Sequence, residues 1–166
     1  MLKKLFGSKE KKVNETLFAP LEGKIVKLED VPDPVFSEKM MGDGIAIEPV
    51  NGEVVSPVKG KIVQVFPTKH AIGIESEIGL EVLVHIGLDT VQMNGEGFSA
   101  HVSVGDKVNV GSKLVTFDLD LVKAKAKSSI TPLIITNSDI IKDIQKTAEQ
   151  QATLGETELL QITKNE

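Results

Sequence analysis

The sequence contains no cysteine, no tryptophan and no tyrosine, and only six phenylalanines among its 166 residues. Without cysteine there is no disulfide framework, no thiolate metal site and no sulfur nucleophile. Without Trp or Tyr there is little to stack on nucleobases, and a formal net charge of −5 repels a phosphate backbone. Nucleic acid is thereby excluded as a partner class. No apolar run approaches the ~18 residues of a membrane-spanning helix. What is present, 40% hydrophobic and 26% charged residues, is the balance of an ordinary globular protein. The length fits one domain with a core large enough to need no staples.

Charge is unevenly spread. Residues 1–12 hold five lysines and one glutamate, so the other 154 residues carry −9. Leu2, Leu5 and Phe6 fall at helical spacing but make no signal-peptide core. Residues 1–15 are expected to form a basic flexible tail, with at most weak contact to a membrane surface. Residues 16–166 are expected to form the folded domain.

That domain reads as short β runs punctuated by Gly and Pro, at 23–28, 44–48, 60–66, 71–75, 80–86, 107–110, 114–117 and 158–163. Two segments break the pattern. Residues 118–128 are rich in Lys and Ala behind a capping Asp118 or Asp120, and 138–151 place Ile140, Ile141, Ile144 and Ala148 on a helical stripe. Both are expected as short surface helices. APLEGKIV from Ala19 is echoed by SPVKGKIV from Ser56, and more weakly by the stretch from Val104 to Leu114. The expected fold is all-β: an antiparallel sandwich or barrel with a duplicated turn–strand motif and one or two short surface helices.

Of three histidines, His70 and His85 lie in consecutive strands, with Ser76-Glu77-Ile78-Gly79 as the turn between them. A loop centred between Glu77 and Ile78 sets the two histidines directly opposite, with Cβ atoms ~4.5–5.5 Å apart. His70, Ile72, Leu83 and His85 then share one face, and Ala71, Gly73, Val82 and Val84 the other. Two adjacent imidazoles in apolar surroundings cannot both be charged, so at least one stays neutral near pH 7. His101 has no such partner and is expected on the surface. A histidine pair can bind metal, but a catalytic zinc takes three protein ligands, and neither His-x-His nor His-Glu-x-x-His occurs. It can instead serve a phosphoryl group, one ring taking it while the other hydrogen-bonds its oxygens. A third reading is a biotinyl- or lipoyl-type carrier, suggested by the Gly105 to Leu114 turn. Its attachment lysine has no counterpart closer than Lys39-Met40-Met41. From the residues alone all three stand open.

The motifs together decide among them. APLEGKIV from Ala19, EDVPDPVFSEKMMGDGIAI from Glu29, TKHA from Thr68, EVLVHIGLDTV from Glu81, GEGF from Gly95 and DLDLVKAKAKS from Asp118 make the chain resemble one bacterial family. It is the IIA component of the glucose family of the phosphoenolpyruvate-dependent sugar phosphotransferase system. The resemblance covers roughly 16–163. It implies that His85 accepts a phosphoryl group through Nε2, that His70 orients the group, and that Thr68 hydrogen-bonds His70. It implies phospho-HPr as donor and a cysteine of a permease IIB domain as acceptor. The protein would be a cytoplasmic relay component of a phosphotransferase rather than a stand-alone enzyme. It would be a monomer forming transient complexes, with no cofactor, and zinc would reach His70 and His85 only with a partner's carboxylate. Val35, Phe36, Met40, Met41, Phe66, Ile86 and Val91 match the family's apolar rim, flanked by Asp33 and Asp89. Pro34 departs from the pattern and is expected to stiffen the rim loop and shift partner preference.

Overall fold

The computed structural model describes residues 12–166, so the expected tail lies mostly outside it. Asn14 and Glu15, assigned above to the tail, already belong to the first strand. Fourteen strands follow one another: β1 (Asn14–Phe18), β2 (Gly23–Val26), β3 (Asp43–Pro49), β4 (Glu53–Val55), β5 (Gly60–Val65), β6 (Ala71–Ser76) and β7 (Glu81–His85), then β8 (Phe98–Ala100), β9 (Lys107–Val108), β10 (Lys113–Phe117), β11 (Thr131–Ile135), β12 (Ile141–Lys146), β13 (Gln151–Ala152) and β14 (Glu158–Lys164). Among the described residues two α-helices interrupt them, α1 (Pro34–Ser37) and α2 (Leu119–Lys125). The large sheet has eight strands in the order β13-β2-β3-β11-β7-β6-β5-β9, and two three-stranded sheets run β1-β14-β12 and β4-β10-β8. The pairings are antiparallel.

The sequence repeat is visible in this order. Its two strands, β2 and β5, lie next to opposite edges of the large sheet. The two Pro turns hold each other: Phe18 N–H donates to the Pro57 carbonyl at 2.8 Å, and Val55 N–H to the Pro20 carbonyl at 2.9 Å. The repeated glycine is required by its neighbours. A Cβ on Gly23 would stand 2.1 Å from the Glu48 carbonyl oxygen, and one on Gly60 2.1 Å from that of Glu75.

Two apolar clusters form on opposite faces of the large sheet. The larger fills the interior with residues such as Leu17, Ile47, Ile72, Val84, Leu114 and Leu133. The smaller lies on the outer face, with Leu28, Val31, Phe36, Ala46, Ala71, Leu83, Leu88 and Ile134 buried in it. Strand β11 serves both: Leu133 and Ile135 face the interior and Ile134 the outer cluster. Such two-sided burial explains why Thr131–Ile135 reads as a nearly continuous apolar run.

Two expectations fail, each for a definable reason. The β6–β7 loop is centred on Ile78, not between Glu77 and Ile78. Ser76 N–H donates to the Leu80 carbonyl at 2.9 Å, Gly79 N–H to the Ser76 carbonyl at 3.0 Å, and Gly79 takes a left-handed φ of 91°. This is a three-residue hairpin with glycine at its left-handed position. The register therefore shifts by one, pairing Ala71 with His85 and Ile72 with Val84. Ile72, Ile74, Val82 and Val84 share the interior face, while Ala71 and Leu83 face outward.

The second failure is the helix at 138–151. A 3-10 turn at Ser138–Ile140 leads into strand β12. A β-bulge between Ile141 and Asp143 breaks the two-residue alternation, so Ile141 and Ile144 both pack on the core. Bulged spacing of this kind imitates the three-residue step of a helix. The helix at 118–128 does form, as α2, with the Asp118 carboxylate accepting from Leu121 N–H at 3.0 Å.

Candidate functional site

The site is built where β7 ends and the β5–β6 hairpin turns. Pro67 to His70 make that turn: Lys69 N–H donates to the Phe66 carbonyl at 2.8 Å and Lys69 is left-handed at φ 62°. His70 is thus the last loop residue rather than a strand residue. It is formally opposite Ile86, whose N–H donates to the His70 carbonyl at 2.7 Å. Freed from strand alternation, its ring reaches that of His85, with centroids 4.9 Å apart and planes at 81°. The histidines meet as expected, but through a loop conformation and not through cross-strand pairing.

Phenylalanines continue the row. Phe36, carried by α1, lies 5.1 Å from the His85 ring, and Phe66 lies edge-on to His70 at 5.4 Å. Phe36 is buried in the outer cluster, which makes it the floor of the site rather than its rim. The one-turn helix that supplies it starts with Asp33, whose carboxylate accepts from Val35 N–H at 3.0 Å. Pro34 occupies its first turn, where a missing N–H costs nothing and the fixed φ already suits a helix.

Of the other residues expected on the rim, Val35, Met40 and Val91 are exposed by 38%, 69% and 48%. Met41 and Phe66 pack partly against the outer cluster. Asp89 is exposed, with a left-handed φ of 61°, and opens the turn that carries Val91. Ile86 does not join them. It is fully buried in the interior core, because the extended chain, one residue past the end of β7, has reversed the face.

The hydrogen bonds fix the chemistry. His85 Nδ1 lies 2.9 Å from the Gly87 carbonyl oxygen. A carbonyl can only accept, so Nδ1 carries the proton and Nε2 of the neutral ring keeps its lone pair. His70 Nδ1 meets the Thr68 hydroxyl. Burial, and secondarily the neighbouring His85, push the pKa of His70 down to about 4. Burial also lowers that of His85, against the Gly87 carbonyl and Asp33, which act to raise it. Both rings are therefore neutral at pH 7: one has a free nucleophilic nitrogen, the other can donate or accept beside it. Among the described residues no group of three or more His, Cys, Asp or Glu gathers to hold a metal ion. His101 is exposed, and its ring Nε2 meets the Thr116 hydroxyl at 3.0 Å.

Residues 15–141 match the family model of the phosphoenolpyruvate-dependent sugar phosphotransferase system, EIIA 1. The chain belongs to that family. It is 56% identical over 163 residues to the PTS system glucose-specific EIIA component of Bacillus cereus, across 98% of this chain and 99% of that one. It is 54% identical over 166 residues to the component of the same name from Staphylococcus aureus, across 99% and 100%. The glucose permease IIA from Mycoplasma capricolum superposes with a TM-score of 0.82 at 41% identity, over 95% of this chain and 98% of that one. The chain is accordingly an EIIA component of a sugar phosphotransferase system, with that fold. Among its described residues no helix is long and apolar enough to cross a membrane.

Sequence reasoning gave no role to one residue that the geometry brings to the histidines. Gly87 supplies the carbonyl that selects the His85 tautomer. The signal was a glycine two residues past a strand-ending histidine, a place where the chain needs the left-handed φ of 74° that it adopts.

Proposed function

We propose that the protein is a phosphohistidine relay: His85 takes a phosphoryl group from phospho-HPr and passes it to a cysteine of a permease IIB domain. The observation that carries this reading is the Nδ1–H bond from His85 to Gly87, which leaves Nε2 as the one nucleophilic nitrogen beside a second neutral imidazole. In the transfer, His85 Nε2 forms a bond to phosphorus as the donor's P–N bond breaks, and the electron pair leaves with the donor imidazole. Positive charge builds on the His85 ring, and the Gly87 carbonyl stabilises it through the Nδ1 proton. His70, held by Thr68, hydrogen-bonds the phosphoryl oxygens. Onward transfer to a thiolate reverses the events at Nε2, so one activated bond replaces another. Val35, Met40, Met41, Phe66 and Val91 form the apolar contact for both partners, with Phe36 supporting it from below. Asp33 and Asp89 steer a basic rim. Carriage in the cytoplasm, as a monomer in transient complexes, suits such shuttling.

Intact-mass spectrometry after incubation with phosphoenolpyruvate, Enzyme I and HPr tests the assignment. Wild type should gain one acid-labile phosphoryl group and His85→Ala none. His70→Gln should still gain it yet pass it to a IIB domain poorly, because an amide hydrogen-bonds oxygens without exchanging a proton. Equal loss at the first step in both variants would refute the division of roles.

A further inference from the structure

Gly87 is gripped on both of its peptide planes by a segment some forty positions away in the chain. The plane bearing its carbonyl also bears the Leu88 N–H, which donates to the Ser128 carbonyl at 2.9 Å. The preceding plane bears the Gly87 N–H, which donates to Thr131 Oγ1 at 3.3 Å. The Thr131 hydroxyl donates in turn to the Ser129 carbonyl at 3.0 Å. Lys127 N–H returns a bond to the Leu88 carbonyl at 3.2 Å, closing a short antiparallel bridge between Leu88 and Ser128. The contact is tight: a Cβ on Gly87 would stand 2.9 Å from the Ser128 carbonyl oxygen and 2.5 Å from Thr90 Cγ2. Thr131 is 1% exposed, and its hydroxyl is the one side-chain group that holds the Gly87 N–H.

We propose that Thr131 is a positioning residue for phosphoryl transfer: its hydroxyl holds the peptide plane before Gly87 and so, together with the Leu88–Ser128 bond, fixes the carbonyl that keeps the His85 proton on Nδ1. This rests on His85 being the acceptor. A neutral imidazole carries a single proton, and its partner decides which nitrogen holds it. If the Gly87 carbonyl loses its orientation, protons redistribute to Nε2, where they occupy the lone pair that attacks phosphorus. The Thr131 hydroxyl is hydrogen-bonded to Gly87 and Ser129 and to neither histidine, so its effect must appear in the tautomer.

The test uses the full chain labelled with 15N-histidine, as wild type, Thr131→Val and Thr131→Ser. Valine keeps the shape and strand preference and removes the hydroxyl; serine keeps the hydroxyl. Imidazole 15N shifts at neutral pH report the His85 tautomer before phosphorylation, and the initial rate from phospho-HPr reports acceptance. Wild type and Thr131→Ser should show Nδ1–H alone and equal rates. Thr131→Val should show a population with the proton on Nε2 and a rate lower by about fivefold, the weight of one net hydrogen bond. Thr131→Ala repeats the test without the second methyl, should valine crowd Gly87. An unchanged tautomer and rate in the valine variant would overturn the proposal, as would equal impairment in the serine variant, which would trace the effect to packing. If wild type accepts no phosphoryl group, the acceptor reading fails, and the tautomer comparison alone then decides whether Thr131 positions Gly87.

Discussion

Replacing His70 by glutamine should remove much of the acid sensitivity that the site imposes on the folded state. His70 is 3% exposed, and burial with the neighbouring His85 brings its pKa from 6.5 to about 4. The unfolded chain therefore binds this proton below pH 6.5, whereas the folded chain resists it until about pH 4. Between those limits the unfolded state holds more protons, so stability is intact above pH 6.5 and declines as pH falls. The slope is about 1.4 kcal/mol per pH unit for one group, which gives a loss of about 2 kcal/mol on going from pH 8 to pH 5. Glutamine does not titrate, and it also removes the repulsion felt by His85. Urea unfolding of both proteins at the two pH values measures the difference, and carboxylates common to both cancel. Wild type should lose about 2 kcal/mol more than His70→Gln. Equal losses would mean that the His70 ring is hydrated or charged in the folded protein, and the argument for two neutral imidazoles would fall.

Other consequences are testable in the same way. Gly87→Ala meets both a left-handed φ of 74° and contacts of 2.5 and 2.9 Å, so it should cost more than about 2 kcal/mol in thermal or urea unfolding. Asp118→Ala removes the carboxylate that accepts from Leu121 N–H and should cost about 1 kcal/mol, with reduced amide protection confined to the first turn of α2. Asp43 accepts from Lys146 at 2.6 Å and from Gly44 N–H at 2.8 Å, and those bonds, with Lys39 nearby, outweigh burial to hold its carboxyl below the ordinary value of 3.8. Asp43→Ala should therefore destabilise the protein at pH 7, and the gap from wild type should close as pH falls through and below 3.8.

Much of this architecture was legible because its signals are local. Glycine and proline mark the strand boundaries, the repeated Pro-x-x-Gly turns mark β2 and β5, and Asp118 marks the start of α2. The meeting of His70 and His85 was legible too, though for the wrong reason. A one-residue error in loop length exchanged the faces of the hairpin, and only the left-handed turn at Lys69 returns His70 to its partner. Ile86 failed for another reason: the resemblance placed it on the rim, yet next to an outward-facing histidine the alternation of an extended chain turns it into the core. The 138–151 segment misled because a bulge at 141–143 mimics helical spacing. No local rule reveals the grip of 127–131 on Gly87, since it joins segments brought together by the pairing of β7 with β11.

The account turns on which nitrogen of His85 is free. The most direct measurement is heteronuclear NMR on the phosphorylated protein, prepared with 15N-histidine, phosphoenolpyruvate, Enzyme I and HPr, following 31P coupling to the imidazole nitrogens. The phosphoryl group should sit on Nε2 of His85, with a protonated Nδ1 still bonded to the Gly87 carbonyl. A phosphoryl group on Nδ1 of His85, or on His70, would contradict it.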